Sequence, residues 1–412
     1  MVGPKVIETF GPFCLQKVGA TEMDVNGLIT TVFNGLSIGT VLLIVALGLA
    51  IVFGLMGVIN LAHGELMMLG AYTTYVVQGG FKQLGEGWQG AYIWVAIPLS
   101  FLVAALVGLA LERGVIRFLY GRPLETLLAT WGVSLILRQF VRSVSWSMVV
   151  GLLIFCGLFF GGKWLLDRFA RLAQARQNFA RAVLFILSGA IAWTIGGSLN
   201  DNSQLARPWF STRNVDVTAP RWLQGSFAVT DTLQFPISRL FIIALTLLCL
   251  LGVYWFLQKS AWGLRIRSVT QNRNMSACLG IPTAQVDAMT FALGSGLAGI
   301  AGFAVTLLGS VGPNLGVNYI VDAFMVVVVG GVGNLLGSVI AALAIGVLTY
   351  LLGSGTLPLL LSSYEGLQPV TDFFNFFATT SMAKVMVFAL IIVFLQVRPA
   401  GLFPPKGRSA EV

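Results

Sequence analysis

GLITTVFNGLSIGTVLLIVALGLAIVFG, residues 27–54, contains no Asp, Glu, Lys or Arg. About twenty apolar residues in a helix cross the ~30 Å hydrocarbon core of a bilayer, so this stretch reads as a membrane span. Comparable runs follow at 59–79, 90–110, 123–145, 146–162, 183–197, 237–257, 284–308, 319–332, 335–351 and 382–397. Spans 146–162 and 183–197 carry the weakest signal. Helix is required for all of them, because backbone N–H and C=O groups facing lipid have no water to bind. The expected fold is all-α, a polytopic membrane helical bundle of about 9–11 spans.

The composition points the same way. Of 412 residues, 57% are hydrophobic and 10% charged, against about 25% charged in an average soluble domain. Mean hydropathy is +0.87. These values exclude a soluble enzyme, a disulfide scaffold and a disordered chain. Cys14, Cys156, Cys249 and Cys278 are scattered, without metal-ligand spacing. A pI near 9.7 raises nucleic acid as a partner, but the positive charge sits in short loops between spans, where it is a topology signal.

Loop 111–122 carries Arg113, Arg117 and Arg122 against Glu112. Loop 163–182 carries Lys163, Arg168, Arg171, Arg176 and Arg181 against Asp167. Loop 258–283 has Lys259, Arg265, Arg267 and Arg273 with no acid, and the tail 398–412 is also basic. Segments 1–26, 198–236 and 351–381 are neutral or acidic. Eleven spans counted from an outside N-terminus put every basic loop in the cytoplasm, as the positive-inside rule requires. The expected organisation is an external leader at 1–26, too polar and acidic for a signal peptide, a membrane domain at 27–397 and a cytoplasmic tail at 398–412. There is no glycine-rich phosphate loop ending in Gly-Lys-Ser or Gly-Lys-Thr, so any ATP used must be bound by another chain.

Three segments stand out. The first, GVINLAHGELMMLGAY at 57–72, holds Asn60, His63, Gly64 and Glu65, and His63 is the only histidine. Its glycines permit a broken helix or tight turn at the membrane edge, and ionisable groups there are functional candidates. Glu65 either caps a helix start or pairs with His63; gating and proton relay are further readings, whereas zinc needs more ligands than the segment supplies. The second, QKSAWGLRIRSVTQNRNMSACLGIPTAQV at 258–286, predicts a short helix over about 269–279 that stops near Gly280, with Pro282 starting the next element. It reads as a rigid cytoplasmic knob gripped by another protein, or as a basic membrane-facing loop. The third, at 319–347, joins two apolar helices through Gly330, Gly331, Val332, Gly333 and Asn334, and predicts a helix break whose opened carbonyls face a small polar solute. Asp322 meets the solute or caps the helix. Thr130, Ser134, Asn314 and Asn318 add polar groups near spans, and Arg138 and Arg142 share a face of the span at 123–145.

These segments in order, 57–72, 265–280 and 322–337, resemble the LivH-type permease subunits of bacterial ABC importers, which carry branched-chain amino acids, amides and urea. GVINLAHGELMMLGAY and VDAFMVVVVGGVGNLLGS are most similar to the UrtB-like urea permeases, since a basic residue is common around Asp322 in amino-acid permeases. The resemblance covers about 26–145 and 222–405. It implies an inner (cytoplasmic) membrane permease that pairs with a second, LivM/UrtC-like permease subunit. It also implies two cytoplasmic ATPase subunits, which bind the ATP and Mg, and a periplasmic or extracellular solute-binding protein. Arg265, Arg267, Gln271, Asn272, Ala277 and Gly280 match the family's ATPase-docking helix. Residues 146–205 have no counterpart and read as an inserted helical hairpin and loop. The external loop 198–236, with Trp209, Phe210 and Trp222, lies on the outer interface or receives the delivery protein.

The expected function is alternating-access import of urea, with no catalytic residue and no metal in this chain. Scarce midplane charge favours a small neutral solute. Asn60, His63, Gly64, Glu65, Thr130, Asp322, Gly330, Gly331, Gly333 and Asn334 are the pathway or gating candidates. Import of branched-chain amino acids or short amides by the same machine is the first alternative. An ATP-independent secondary transporter or urea channel is the second.

Overall fold

Helix α1 (Val25–Met56) runs through the centre of the molecule. Its apolar window is 83% buried, because α1 is packed on several sides by other helices rather than by lipid. The computed structural model describes residues 25–85, 90–169, 174–200, 209–210, 214–230, 233–361 and 368–403. Nearly all of the leader 1–26, Arg171, most of the stretch 201–213 and the end of the tail from 404 lie outside the described residues.

After α1 come α2 (His63–Gln83), α3 (Tyr92–Gly114), α4 (Pro123–Ser143), α5 (Trp146–Phe169) and α6 (Gln174–Asn200). An antiparallel hairpin, β1 (Ser226–Thr230) and β2 (Leu233–Pro236), leads into α7 (Ile237–Lys259). Then follow α8 (Ala261–Gln271), α9 (Arg273–Cys278), α10 (Thr283–Thr306), α11 (Leu315–Gly330) and α12 (Leu335–Gly353). The described chain ends with α13 (Thr356–Leu361), α14 (Gln368–Phe377) and α15 (Thr380–Val397).

Each of the eleven expected spans falls on a helix. Among the described residues, seven helices are long and apolar enough to cross a membrane, or eight if the bent pair α14–α15 counts as one span. The other expected spans differ for physical reasons. Both α2 and α4 are 21 residues long but carry ionisable groups, and α11 has only 16 residues.

The core is built from α1, α2, α3, α10, α11 and α12. Small residues let these backbones touch, which is how membrane helices gain packing energy without a solvent-driven term. Gly299 of α10 lies against the carbonyl of Ser100 in α3, and Gly70 of α2 lies against Gly299. Ser100 Oγ donates to the Gly70 carbonyl at 3.0 Å, tying α3 to α2 at the same level.

Within 146–205, α5 and α6 form a helical hairpin. Helices α5 and α6 pair chiefly with each other, and Phe155 and Phe159 meet Phe185 edge to face at 5.4 and 5.6 Å. Their apolar windows are only 11% and 6% buried. In the 198–236 loop, Phe210 is buried and packs on Tyr72 at 4.5 Å, whereas the Trp209 side chain is exposed and its backbone N–H donates to the Val144 carbonyl at 2.9 Å.

Replacing Gly299 by Val forces methyl groups into the Ser100 carbonyl. Overpacking of this kind costs about 1–3 kcal/mol. The Gly299→Val protein is expected to melt at a clearly lower temperature in detergent than the parent, with the same substitution at Gly252, where a Cβ meets nothing, as the neutral control.

Candidate functional site

The segment 57–62 interrupts the membrane path between α1 and α2. Gly57 has φ +69°, a left-handed conformation that suits glycine, and its N–H closes α1 on the Phe53 carbonyl. The chain then turns back alongside α1. Asn60 Oδ1 accepts from the Ala62 N–H at 3.0 Å, and Thr130 Oγ1 of α4 accepts from the Leu61 N–H at 3.2 Å. Helix α2 therefore begins inside the bundle. His63 is fully buried, and its Nε2–H donates to the Val45 carbonyl at 3.2 Å. Val45 lies about 16 Å of helix rise before the Met56 end of α1.

Glu65 neither caps α2 nor pairs with His63. Its Oε1 accepts from Arg138 Nη2 at 2.7 Å, Arg138 Nε at 3.2 Å and Ser134 Oγ at 3.1 Å. Glu65 is 1% exposed and the Arg138 side chain 20%. One turn further along α4, Arg142 Nη2 donates to Asn314 Oδ1 at 2.8 Å, at the head of α11. That head meets α2 directly: Gly64 and Gly316 are in backbone contact, with no room for a Cβ on either. Two helices thus start side by side within the bundle, and α4 is latched to both.

Sequence reasoning placed Arg138 and Arg142 on one face but missed their partners. A signal was available: Thr126, Thr130, Ser134, Arg138 and Arg142 recur at every fourth position, a polar stripe on an otherwise apolar helix. All five are hydrogen-bonded toward the bundle or the helix start. The expectation of scarce charge within the bundle is corrected by these groups and by a second pair, Lys384 Nζ with Asp322 Oδ2 at 2.8 Å. Asp322 thus spans α11 and α15 instead of capping its own helix.

The glycine segment between α11 and α12 is a tight turn, as expected, but its carbonyls are occupied. The Val329 and Gly330 carbonyls accept from the N–H groups of Leu402 and Phe403, at 2.8 and 3.3 Å. Gly331, at φ +101°, lies in contact with the Phe403 carbonyl, and Gly333, at φ +86°, faces Gly54. Asn334 is a helix cap: its Oδ1 accepts from the Gly337 N–H at 3.2 Å. Among the pathway candidates, Asn60, His63, Gly64, Glu65 and Thr130 converge at one junction. Asp322 stands apart on α11, and Gly330, Gly331, Gly333 and Asn334 form the turn under the chain's C-terminal segment.

The segment 258–283 forms two helices rather than one over 269–279. Ser260 caps α8 by accepting from the Gly263 N–H at 2.9 Å. Asn272 caps α9 by accepting from the Met275 N–H at 3.0 Å. Gly280, at φ +80°, ends α9, and α10 starts just after Pro282. Arg265, Arg267, Gln271, Asn272, Ala277 and Gly280 are all exposed. So are the apolar side chains of Leu264, Met275 and Leu279. Arg273, which the sequence reading left aside, fastens the knob: its Nη2 donates to Asp287 Oδ2 of α10 at 2.5 Å, and its guanidinium lies 5.0 Å from the Tyr120 ring centre. Tyr120 OH donates to Glu112 Oε1 at 3.4 Å. Burial, with help from the Asp287 and Glu112 carboxylates, pushes the Tyr120 phenol well above its usual range, so it stays a proton donor.

A membrane bundle with interrupted helices, a polar junction inside it and a two-helix knob is consistent with a permease fold. The family is shown by its sequence model: the chain matches the branched-chain amino acid transport system / permease component over residues 31–395 and belongs to that family. It is similar to the high-affinity branched-chain amino acid transport system permease protein LivH of Salmonella typhimurium, 25% identical across 90% of this chain and 93% of that one. The Escherichia coli K12 LivH is 24% identical with the same coverage. The Pseudomonas aeruginosa BraD is 23% identical over 76% of this chain and 82% of its own. No solved structure matches the chain at a significant level. The chain is a polytopic inner-membrane permease subunit of an ABC-type importer, an assembly of paired permeases, ATPase subunits and a solute-binding protein. Permeases of this family lack a catalytic ATPase domain, and the chain is a transport subunit, not an enzyme.

Removing one member of a buried ion pair strands the other, at about 3–5 kcal/mol. Glu65→Ala is therefore expected to lower the melting temperature of the purified protein markedly. Adding Arg138→Met is expected to restore much of the loss. A double variant no more stable than Glu65→Ala would show that the pair is not coupled.

Proposed function

We propose that this permease imports branched-chain amino acids, not urea. The observation that carries the reading is the charge inside the bundle. Glu65, Arg138 and Arg142 stand together where a neutral solute needs only carbonyls, amides and hydroxyls, and a zwitterion needs partners of both signs. The names of the relatives support it. The expectation of urea rested on a lack of such groups and on the wording of two segments.

The remaining parts of the machine follow the family. A second, LivM-like permease completes the pathway. Two cytoplasmic ATPase subunits bind ATP and Mg, and an external binding protein delivers the solute. The N-terminus lies outside and the C-terminus in the cytoplasm, as the basic loops require. The knob formed by α8 and α9 docks on an ATPase through Arg265, Arg267, Gln271, Asn272, Ala277 and Gly280. Its support is the combination of exposed cations with the exposed Leu264, Met275 and Leu279. The Arg273–Asp287 bond makes the knob rigid with α10, so a displacement of the knob tilts a core helix.

Reconstituted with its partners in liposomes, the permease is expected to take up leucine in an ATP-dependent manner that a hundredfold excess of urea does not inhibit. Uptake of urea without leucine would overturn the amino-acid reading, and uptake by the permease without ATPases would overturn the ABC mechanism.

Arg267→Glu or Gly280→Glu is expected to lower uptake per ATP hydrolysed at least tenfold while leaving membrane insertion intact. Equal coupling ratios in variant and parent would remove the docking assignment.

A further inference from the structure

Several buried polar atoms at the α2–α4–α11 junction have no hydrogen-bond partner among the described residues. They include Glu65 Oε2, Tyr72 OH and Arg142 Nε. Glu65 is 1% and Tyr72 2% exposed. A buried polar atom left unpaired is costly, so a group of them at one place calls for a ligand. Their chemistry is divided. Glu65 Oε2 is an acceptor carrying negative charge, whereas Arg142 Nε and the Tyr72 hydroxyl are donors.

The helix starts add to the positive side. Neither α2 nor α11 has a side-chain cap, and the first N–H groups of His63, Glu65 and Leu315 donate to backbone carbonyls of the preceding turn, so the helix starts contribute their dipoles and not free donors. Their N-termini lie together at Gly64 and Gly316, and the positive ends of both helix dipoles meet there. Arg142 is held at the α11 start by Asn314. Arg138 and Arg142 are one turn apart on α4, about 6 Å. Glu65 is bonded to Arg138 and Asn314 to Arg142, so the carboxylate and the second guanidinium lie along the same face of α4. The bonds through Cα hold the two charged ends of an α-amino acid about 3 Å apart. A charge-assisted hydrogen bond of ~2.8 Å at each end extends its reach to about 9 Å. On the next turns of α2, Tyr72 and Tyr75 pack against Phe210 at 4.5 and 6.2 Å. This is an apolar wall on which an aliphatic side chain can rest.

We propose that this junction binds the backbone of the transported amino acid. Arg142 takes its carboxylate, the free oxygen of Glu65 takes its ammonium, and the Tyr72–Phe210 wall receives its aliphatic side chain. The proposal rests on the amino-acid reading above and specifies its site. Arg138 is a positioning residue: it neutralises and aims Glu65 without touching the solute.

The test uses the full complex in liposomes and leucine bearing a diazirine in its side chain. Illumination during ATP-driven turnover is expected to label residues between 65 and 76 or at 209–210. Arg142→Gln and Glu65→Gln are each expected to reduce labelling and leucine uptake about tenfold or more. Arg142→Lys, which keeps the charge, recovers part of both. Label on α12 or α15, or labelling by Arg142→Gln at the parent's level, overturns the site while leaving the amino-acid reading intact. A parent complex that imports no leucine overturns the reading itself, and the site with it. The label position in the parent decides the question even where a variant fails to assemble.

Discussion

The bond between Glu65 and Arg138 is the constraint around which the membrane bundle is arranged. A carboxylate buried this deeply needs a fixed cationic partner, and the only way to provide one is to bring α4 against the start of α2. That requirement fixes the depth at which α2 begins. It also fixes the rotation of α4, since Ser134 donates to the same oxygen and Thr130 receives the Leu61 N–H. Without this interaction α4 would have few reasons to stay: its contacts with the core are sparse. An apolar pair would hold the helices as well or better. The retention of charge at this position therefore argues for work on a solute, not for stability.

Around that pair the structure divides into a tightly packed part and a loosely attached part. Backbone contacts at Gly64–Gly316 and Gly70–Gly299 weld α2, α10 and α11, and α3 joins them through Ser100. In contrast, α4 is fastened mainly by hydrogen bonds from its polar stripe, and α5 and α6 pair chiefly with each other and are little buried by the rest of the chain. A helix held by a few directional bonds can change partners more readily than one held by backbone contact. The knob of α8 and α9 sits at the other extreme, capped at both helix starts and tied by Arg273 to α10 and Tyr120. The knob is thus tied to the tightly packed part, whereas α4 is held by polar contacts.

Much of this was legible in the sequence, and what was not has a common cause. Each of the eleven apolar runs fell on a helix, including those that carry ionisable groups. The glycines at 57–64 and 330–333 gave both interruptions, and the basic stretch after Leu257 gave the knob. Asn272 also had a readable meaning, since asparagine favours the residue before a helix, and it divides the expected single helix into α8 and α9. Pairings across the fold could not be read. Glu65 and Arg138 are 73 positions apart, and Lys384 and Asp322 are 62 apart. No local pattern encodes such a partner, and so the chain's charge was underestimated and a neutral solute favoured. The glycine turn at 330–334 was read as open backbone because nothing in its own sequence shows that Leu402 and Phe403 return to cover it.

The most direct test is the height and separation of Glu65 and Arg138 in an experimental structure of the assembled complex in a lipid disc. The account predicts their side chains in hydrogen-bond contact within the hydrocarbon layer, with the starts of α2 and α11 beside them. Glu65 at the level of the headgroups, or turned away from α4, would contradict it.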